Sequence, residues 1–265
     1  MELGKRLKKV AGLILPSDKL ADVGCDHGYL SVYLIEKQIC KYVIAMDVNK
    51  GPLQKAEENI RRFGYKDYIE TRLSNGLNKL NINEAEGYIC AGMGGPLALE
   101  ILWNDRDKVK EMKQVILQPQ SELWLVRRTL KQWGFVIDKE DIEFEDGKYY
   151  FMMRIRPGNE LCMDVAPDEN AVFPGEDFAV AINGSEMNYT DEEILKTAVY
   201  ELFAKELLDE HNEILKEYIC KEENRLLSIF KSLSKQEDSA KCRERKAAIE
   251  KELAIHQWAL KQYET

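Results

Sequence analysis

No stretch of this chain approaches the roughly 18 consecutive apolar residues that a membrane-crossing helix needs. Cysteine is sparse and scattered: Cys25, Cys40, Cys90, Cys162, Cys220 and Cys242 never fall into a CxxC pair. Only three histidines occur, far apart in sequence. Neither pattern supports a structural zinc site, and isolated cysteines read as reduced thiols of a cytoplasmic protein. The opening MELGKRLKKVAGLILP places basic residues before an apolar run. Gly12-Leu13-Ile14-Leu15 is too short for the apolar core of a signal peptide, and no small-residue cleavage site follows. An amphipathic first helix over residues 2–13 accounts for it better, with Leu3, Leu7, Val10 and Ala11 as its apolar stripe.

What is present is a chain of 265 residues, 45% hydrophobic, with a formal net charge of −9. Such acidity argues against nucleic acid until the chain is divided. Residues 1–157 hold 25 basic and 23 acidic residues, whereas residues 158–265 hold 13 and 24. The acidity therefore belongs to the C-terminal part, and a polyanion can approach the N-terminal part if its charges share a face.

Strand patterns at Lys19–Val23, Tyr42–Met46, Ile69–Leu73, Tyr88–Ala91 and Gln114–Gln118 alternate with helical ones. The helices read as Ser31–Lys37, Pro52–Phe63, Pro96–Trp103 and Ser121–Trp133, with Gly64 and Gly134 at C-cap positions. This alternation predicts an α/β fold with a mostly parallel sheet. The last two strands, Phe135–Asp138 and Tyr149–Ile155, leave no room for a crossover helix, and Glu-Asp-Gly between them predicts an antiparallel hairpin. A parallel sheet closed by such a hairpin is the outline of the Rossmann-like class I methyltransferase fold. The expected domains are 1–157 for catalysis, 158–190 as a Pro/Gly-rich linker or insertion, and 191–265 as a helical hairpin. In the last, Leu208, Leu215, Ile219, Leu226, Phe230 and Leu233 face Ile249, Leu253, His256, Leu260 and Tyr263 across the break SKQEDS, as in a coiled coil. A break so placed favours pairing within one chain, hence a monomer, over dimerisation.

The stretch ADVGCDHGYL (21–30) carries the chemistry. Gly24 and Gly28 allow close backbone approach, but Asp26 stands where a GxGxxG turn has its middle glycine. That carboxylate repels a pyrophosphate and attracts a cation. S-adenosylmethionine, with its sulfonium and ammonium, fits. Asp47 ends the second strand about 20 residues on, where an acidic side chain accepts from ribose hydroxyls, though an N-cap role for the next helix stays open. Asn75-Gly76 follows the third strand, either to read an adenine edge or as a plain turn. The fourth strand ends in AGMGG: Ala91, Gly92, Met93, Gly94, Gly95. This loop lacks both the (Asp/Asn)-Pro-Pro-(Tyr/Phe) pattern of enzymes that methylate adenine's amino group and the Pro-Cys pair of thiolate attack on cytosine. A bare-backbone ligand bed and a tight helix entry are both compatible with it. Adenine N1 needs no base, only in-line positioning and tolerance of the cation formed. Asp26 is the residue expected to serve catalysis, with Gln118 a further candidate.

ADVGCDHGYL, AGMGG and ILQPQ together resemble the bacterial tRNA (adenine-22-N1)-methyltransferases, and KRLKKVAGLI and SNGL match their layout. The resemblance covers residues 1–156 well and the helical remainder in type. It implies a class I fold, S-adenosylmethionine as cofactor, tRNA as partner and methylation at N1. Its cofactor positions fall on Asp22, Gly24, Asp26, His27, Gly28, Asp47, Asn75 and Gly76, with Asn75 where the family usually has Asp; the adjoining Cys25, Val48, Ala91 and Gly92 are expected to line the same cofactor site. The family's Gln-Pro-Asn falls on Gln118-Pro119-Gln120, with Gln120 where the family has Asn; from their own chemistry, Arg6, Met93, Gly94 and Gly95 are further expected substrate contacts. No metal is expected. A basic edge of Lys5, Arg6, Lys8 and Lys9 with Arg127, Arg128 and Lys131 is the expected phosphate contact, against ordinary solvated faces. Methylation of another substrate, or a silent adaptor working through its helical arm, remain the competing readings.

Overall fold

The computed structural model describes residues 1–168, 171, 189–235 and 239–264. The chain forms two compact units, Met1–Glu169 and Asn170–Thr265.

The first unit opens with α1 (Lys5–Gly12), then alternates β1 (Ser17–Val23), α2 (Tyr29–Glu36), β2 (Cys40–Asp47), α3 (Lys50–Arg62), β3 (Ile69–Leu73) and β4 (Gly87–Met93). It continues with α4 (Gly95–Asn104), the short α5 (Arg106–Val109), β5 (Gln114–Pro119), α6 (Leu123–Gln132), β6 (Phe135–Glu145) and β7 (Lys148–Pro157). The strands form one sheet in the order β3-β2-β1-β4-β5-β7-β6. The first five are parallel, and β7 runs antiparallel to both β5 and β6. This mixed seven-stranded sheet is the expected fold.

Local chemistry explains these elements. The central strands are near-continuous apolar runs because both faces are covered: every residue of β5 is buried. The turn between β6 and β7 is Asp146-Gly147, both at positive φ (49° and 80°), as a two-residue hairpin of matching twist requires. Helix α3 ends in a glycine cap: Gly64 at φ 80° donates to Arg61 O (3.1 Å) and Tyr65 N to Ile60 O (3.0 Å). Leu3, Val10, Ala11, Leu13 and Ile14 join the core from the N-terminal segment.

Helix α1 has no side-chain cap of its own at Gly4. The carboxylate of Glu145, from the far end of β6, accepts from Lys5 N and Arg6 N instead. It satisfies two orphan donors of the first turn and places negative charge at the positive end of the helix dipole. A side chain at Gly4 would collide with it, since a Cβ there lies 2.8 Å from Glu145 Oε1.

The expected linker 158–190 lies for the most part outside the described residues. Its opening, however, packs on the first unit. Cys162 N donates to Trp133 O (2.9 Å), Trp133 Nε1 donates to Val165 O (2.9 Å), and Met163 is buried.

The second unit contains α7 (Tyr189–Phe203), α8 (Lys205–Asp209), α9 (Glu213–Leu233) and α10 (Ala240–Lys261). Helices α9 and α10 form an antiparallel pair. Cys242 Sγ lies 3.4 Å from Leu233 O at one end, and Tyr263 Oη donates to Asn212 O (3.1 Å) at the other. Leu226, Ile249 and Leu253 form the buried seam. His256 is buried beside them, its ring 5.0 Å from that of Phe203, and burial lowers its pKa. Among the described residues no helix is long and apolar enough to cross a membrane.

Candidate active site

The carboxyl ends of β1 and β4, with the N-terminal helix, enclose a cleft of about 410 Å³. Ten of the sequence-predicted site residues line it: Arg6, Asp22, Gly24, Cys25, Asp26, His27, Ala91, Gly92, Met93 and Gln120. Leu7, Tyr29 and Leu30 complete the lining.

The β1–α2 turn is built by backbone geometry. Gly24 N and Cys25 N both donate to Met46 O of β2 (2.8 and 3.0 Å), and Gly28 N closes the turn on Cys25 O (2.7 Å). Gly24 sits at φ 74°, and a Cβ there would stand 2.4 Å from Met93 Cε. Gly28 sits at φ 69° with Ala56 Cβ only 3.1 Å from where its own Cβ would be. Asp26 adopts φ 47°, a conformation that Asp and Asn tolerate better than most residues. It points its carboxylate outward, 71% exposed, with His27 Nε2 at 3.5 Å. Asn59 of α3 donates to His27 O (2.9 Å) and so fixes the turn from behind. Asn59 carried no sequence signal, because it reaches the turn from a helix 32 residues further along the chain.

Asp22 is the buried charge of the site, 3% exposed. Burial pushes its carboxyl from an ordinary 3.8 up to about 6, against the opposing pull of the Ser31 hydroxyl, which donates to Oδ2 at 2.6 Å. The nearby Asp47 carboxylate adds to the upward push. The two thiols beside it stay protonated. Burial, then Asp22, raises Cys25 far above its usual range and pushes Cys90 up to about 12. The cleft therefore presents carboxylates and no thiolate.

On the facing side, β4 carries a bulge between Ala91 and Met93, with Gly92 at φ 88°. A Cβ on Gly92 would look toward Gln120 Nε2 and Arg6 Nη1, at 3.6 and 3.7 Å. Gln120 is held by its backbone N–H on Met93 O (2.8 Å). Gln118 is fully buried beneath, where its Oε1 accepts from Arg6 Nη1 at 2.6 Å. The Arg6 guanidinium also lies 5.4 Å from the centre of the Tyr150 ring.

Asp47 ends the neighbouring strand β2 and Val48 follows it, while Asn75 and Gly76 follow β3, all beyond the lining of the cleft itself. Asp47 is buried and accepts from Asn49 N at 2.8 Å, while its backbone carbonyl holds Ser74 N. Val48 is 58% exposed, an apolar surface at the sheet's edge of the site. Gly94 caps α4, and Gly95 is packed against the β5–α6 loop, where a Cβ would lie 2.5 Å from Ser121 O.

One expectation is corrected. Arg127 is not on a phosphate-facing edge: its side chain is 5% exposed and paired with buried Glu140 at 2.8 Å, over the Phe151 ring. The sequence shows only a cluster of basic residues here, and the paired carboxylate of Glu140 lies on another element, β6. Arg128 is half-buried over Trp124.

The cleft fits a cationic nucleoside. Its two carboxylates complement positive charge, and Gly24 and Gly92 keep open the space that side chains would fill. Among the described residues no cluster suited to a metal occurs.

Comparison with known proteins agrees. Residues 3–153 match a family described as Methyltransferase domain. The tRNA (adenine(22)-N(1))-methyltransferase of Bacillus subtilis (strain 168) is 31% identical over 175 residues, 66% of this chain and 70% of the relative. A solved, uncharacterised protein from Listeria monocytogenes serotype 4b superposes with a TM-score of 0.78 at 28% identity, over 98% of this chain and 100% of that one. A candidate tRNA (m1A22) methyltransferase of Streptococcus pneumoniae, solved in complex with S-adenosyl-L-methionine, superposes with a TM-score of 0.75 at 26% identity, again over 98% of this chain and 100% of that one. On the matched domain and the Bacillus relative together, this chain belongs to the tRNA (adenine-22-N1)-methyltransferase family of class I, S-adenosylmethionine-dependent methyltransferases.

Proposed function

We propose that this chain methylates N1 of adenine 22 in tRNA, using S-adenosylmethionine, and that it does so in the cytoplasm as a monomer. The observation that carries the reading is the pairing of carboxylates with bare glycine backbone in one cleft at the strand ends. Free cysteines and a helical hairpin closed within one chain support the last two points.

S-adenosylmethionine, when bound, supplies an electrophilic methyl group on a sulfonium. The chain's own residues do the rest. Asp22 and Asp26 hold positive charge at the β1–α2 turn, and Asp47 offers acceptors for a ribose. Val48 gives an adenine an apolar face. Gly92 lets a second base approach the reacting centre without a side chain between. Arg6, Gln118 and Gln120 supply hydrogen-bonding groups on that side, and Tyr29, 40% exposed and stacked on His27 at 5.9 Å, offers an aromatic surface. No residue has to remove a proton from N1 before attack, because the neutral ring nitrogen carries a lone pair. Catalysis is positioning, plus carboxylates that accommodate the positive charge left on the methylated base.

The test is incubation with labelled S-adenosylmethionine and an unmodified tRNA transcript. Label must enter the tRNA and vanish when adenine 22 is replaced. Label that survives the replacement, or cofactor binding with no transfer to any tRNA, refutes the reading.

A further inference from the structure

Helix α1 serves two cavities. Arg6 and Leu7 face the cleft, while Lys5, Lys8, Lys9 and Gly12, spaced i, i+3, i+4 and i+7, share a different face. That face forms one wall of an open groove of about 500 Å³, whose other wall is β6 and β7. Lys139 and Arg154 line it with the three lysines, against Asp141 and Glu143. Five basic groups face two acidic ones here, whereas residues 1–157 together carry only two more basic than acidic residues. The groove is therefore more basic than the part of the chain that contains it.

Some of those groups build the groove. Lys9 Nζ pairs with Asp141 at 2.8 Å, and Arg154 bonds Asp138 (2.9 Å) and Leu13 O (2.8 Å). Others stay available to a ligand. Among the described residues the Lys5 ammonium meets no carboxylate within ion-pair distance, and Lys8 meets only Glu2, 91% exposed, at 3.4 Å, a contact of little worth in water. The glycine at position 12 leaves the helix end open, with nothing within 4 Å of where a Cβ would be.

We propose that this groove binds the phosphodiester backbone of the tRNA substrate beside the target nucleotide. The inference rests on the function proposed above. Lys5 and Arg6 are consecutive, so a strand that presents its base to Arg6 and Gly92 runs its phosphates toward Lys5 and Lys8. Charge complementarity of this kind supplies salt-dependent affinity without reading sequence. It keeps the α1 lysines of the expected basic edge and gives them β6 and β7 as the facing wall, where Arg127 cannot serve.

The test compares two double variants of the full chain that change net charge equally. Lys5→Ala with Lys8→Ala strips the groove and keeps helix propensity. Lys41→Ala with Lys113→Ala removes exposed lysines near the opposite ends of the strands, where they pair with Asp18 and Glu86. Affinity for tRNA is measured across a salt series, and cofactor affinity by calorimetry reports on the integrity of the cleft. The groove variant should bind tRNA about tenfold more weakly, with a salt slope smaller by about 0.7–0.9 for each lost contact, and bind cofactor normally. The control should match the unsubstituted chain. Equal losses in both variants, an unchanged slope, or a parallel loss of cofactor binding overturns the groove. If the unsubstituted chain methylates adenine 22 while the groove variant binds tRNA normally, only the groove is wrong. If the unsubstituted chain binds no tRNA, groove and function fail together.

Discussion

Asp22 bears its charge in a buried site, and its shifted carboxyl has a direction that can be measured. Between its ordinary 3.8 and about 6 the folded chain keeps a proton that the unfolded chain has released. Stability from this source is therefore complete below about pH 4 and lost as pH rises through about 6. The span is about 3 kcal/mol. Asp22→Asn should remove that share of the slope, so the difference between the melting profiles of the two proteins should grow between pH 4 and 6 and flatten above. Identical profiles would show that the carboxyl titrates normally. A cationic cofactor favours the ionised form, so calorimetry should find its affinity weakening as pH falls through about 6 in the native chain and not in Asp22→Asn. Asp26 differs, being exposed and held by a left-handed backbone. Asp26→Asn keeps the backbone preference and removes the charge. Loss of one charge-assisted hydrogen bond, about 1.5–3 kcal/mol, should weaken cofactor binding by about ten- to a hundredfold with the melting temperature unchanged. Native affinity in that variant would remove Asp26 from the site.

Helix α1 is short, and its first turn depends on Glu145, 140 residues further along the chain. Glu145→Ala should cost about 1 kcal/mol, the usual worth of a helix cap, or about 2–4 °C in melting for a unit of this size. It should also lower kcat/KM for tRNA, because Arg6 of the same turn anchors Gln118. A variant that melts lower but turns over tRNA as well as the native chain would confine Glu145 to stability. This cap shows where reading the sequence stops. The buried stretches of β1, β2, β4 and β5 were legible because covered strands are apolar runs, whereas β3, IETRL at the sheet edge, showed only its strand spacing; Asp146-Gly147 announced the hairpin through its need for positive φ. The glycines at 24, 28 and 92 were legible for the same reason. The Glu145 cap, the Arg6–Gln118 bond and the Arg127–Glu140 pair were not. Each joins residues whose meeting is decided by packing rather than by spacing. The packing of Cys162 to Val165 on Trp133 was hidden likewise, behind a composition that reads as linker.

The two units differ in what holds them. The first buries a sheet between helices, whereas α9 and α10 rest on a narrow seam centred on Leu226, Ile249 and Leu253. The acidic charge of the chain is concentrated in that second part, so its contribution to tRNA binding, if any, must come through local basics such as Lys241, Arg243, Arg245 and Lys246 on α10. Leu226→Ala leaves a cavity in the seam at a cost of about 2–5 kcal/mol. A seam so small has few neighbours able to relax into the gap, so the helical signal of the hairpin should melt earlier. Calorimetric binding of S-adenosylmethionine should stay native, because none of the cleft residues belongs to this unit. Comparing tRNA affinity before and after the hairpin melts then assigns its role. A drop confined to the upper temperature range makes the hairpin part of the tRNA-binding surface, whereas unchanged affinity leaves tRNA recognition to the first unit alone. Loss of cofactor binding in Leu226→Ala would contradict the separation of the two units on which this prediction depends.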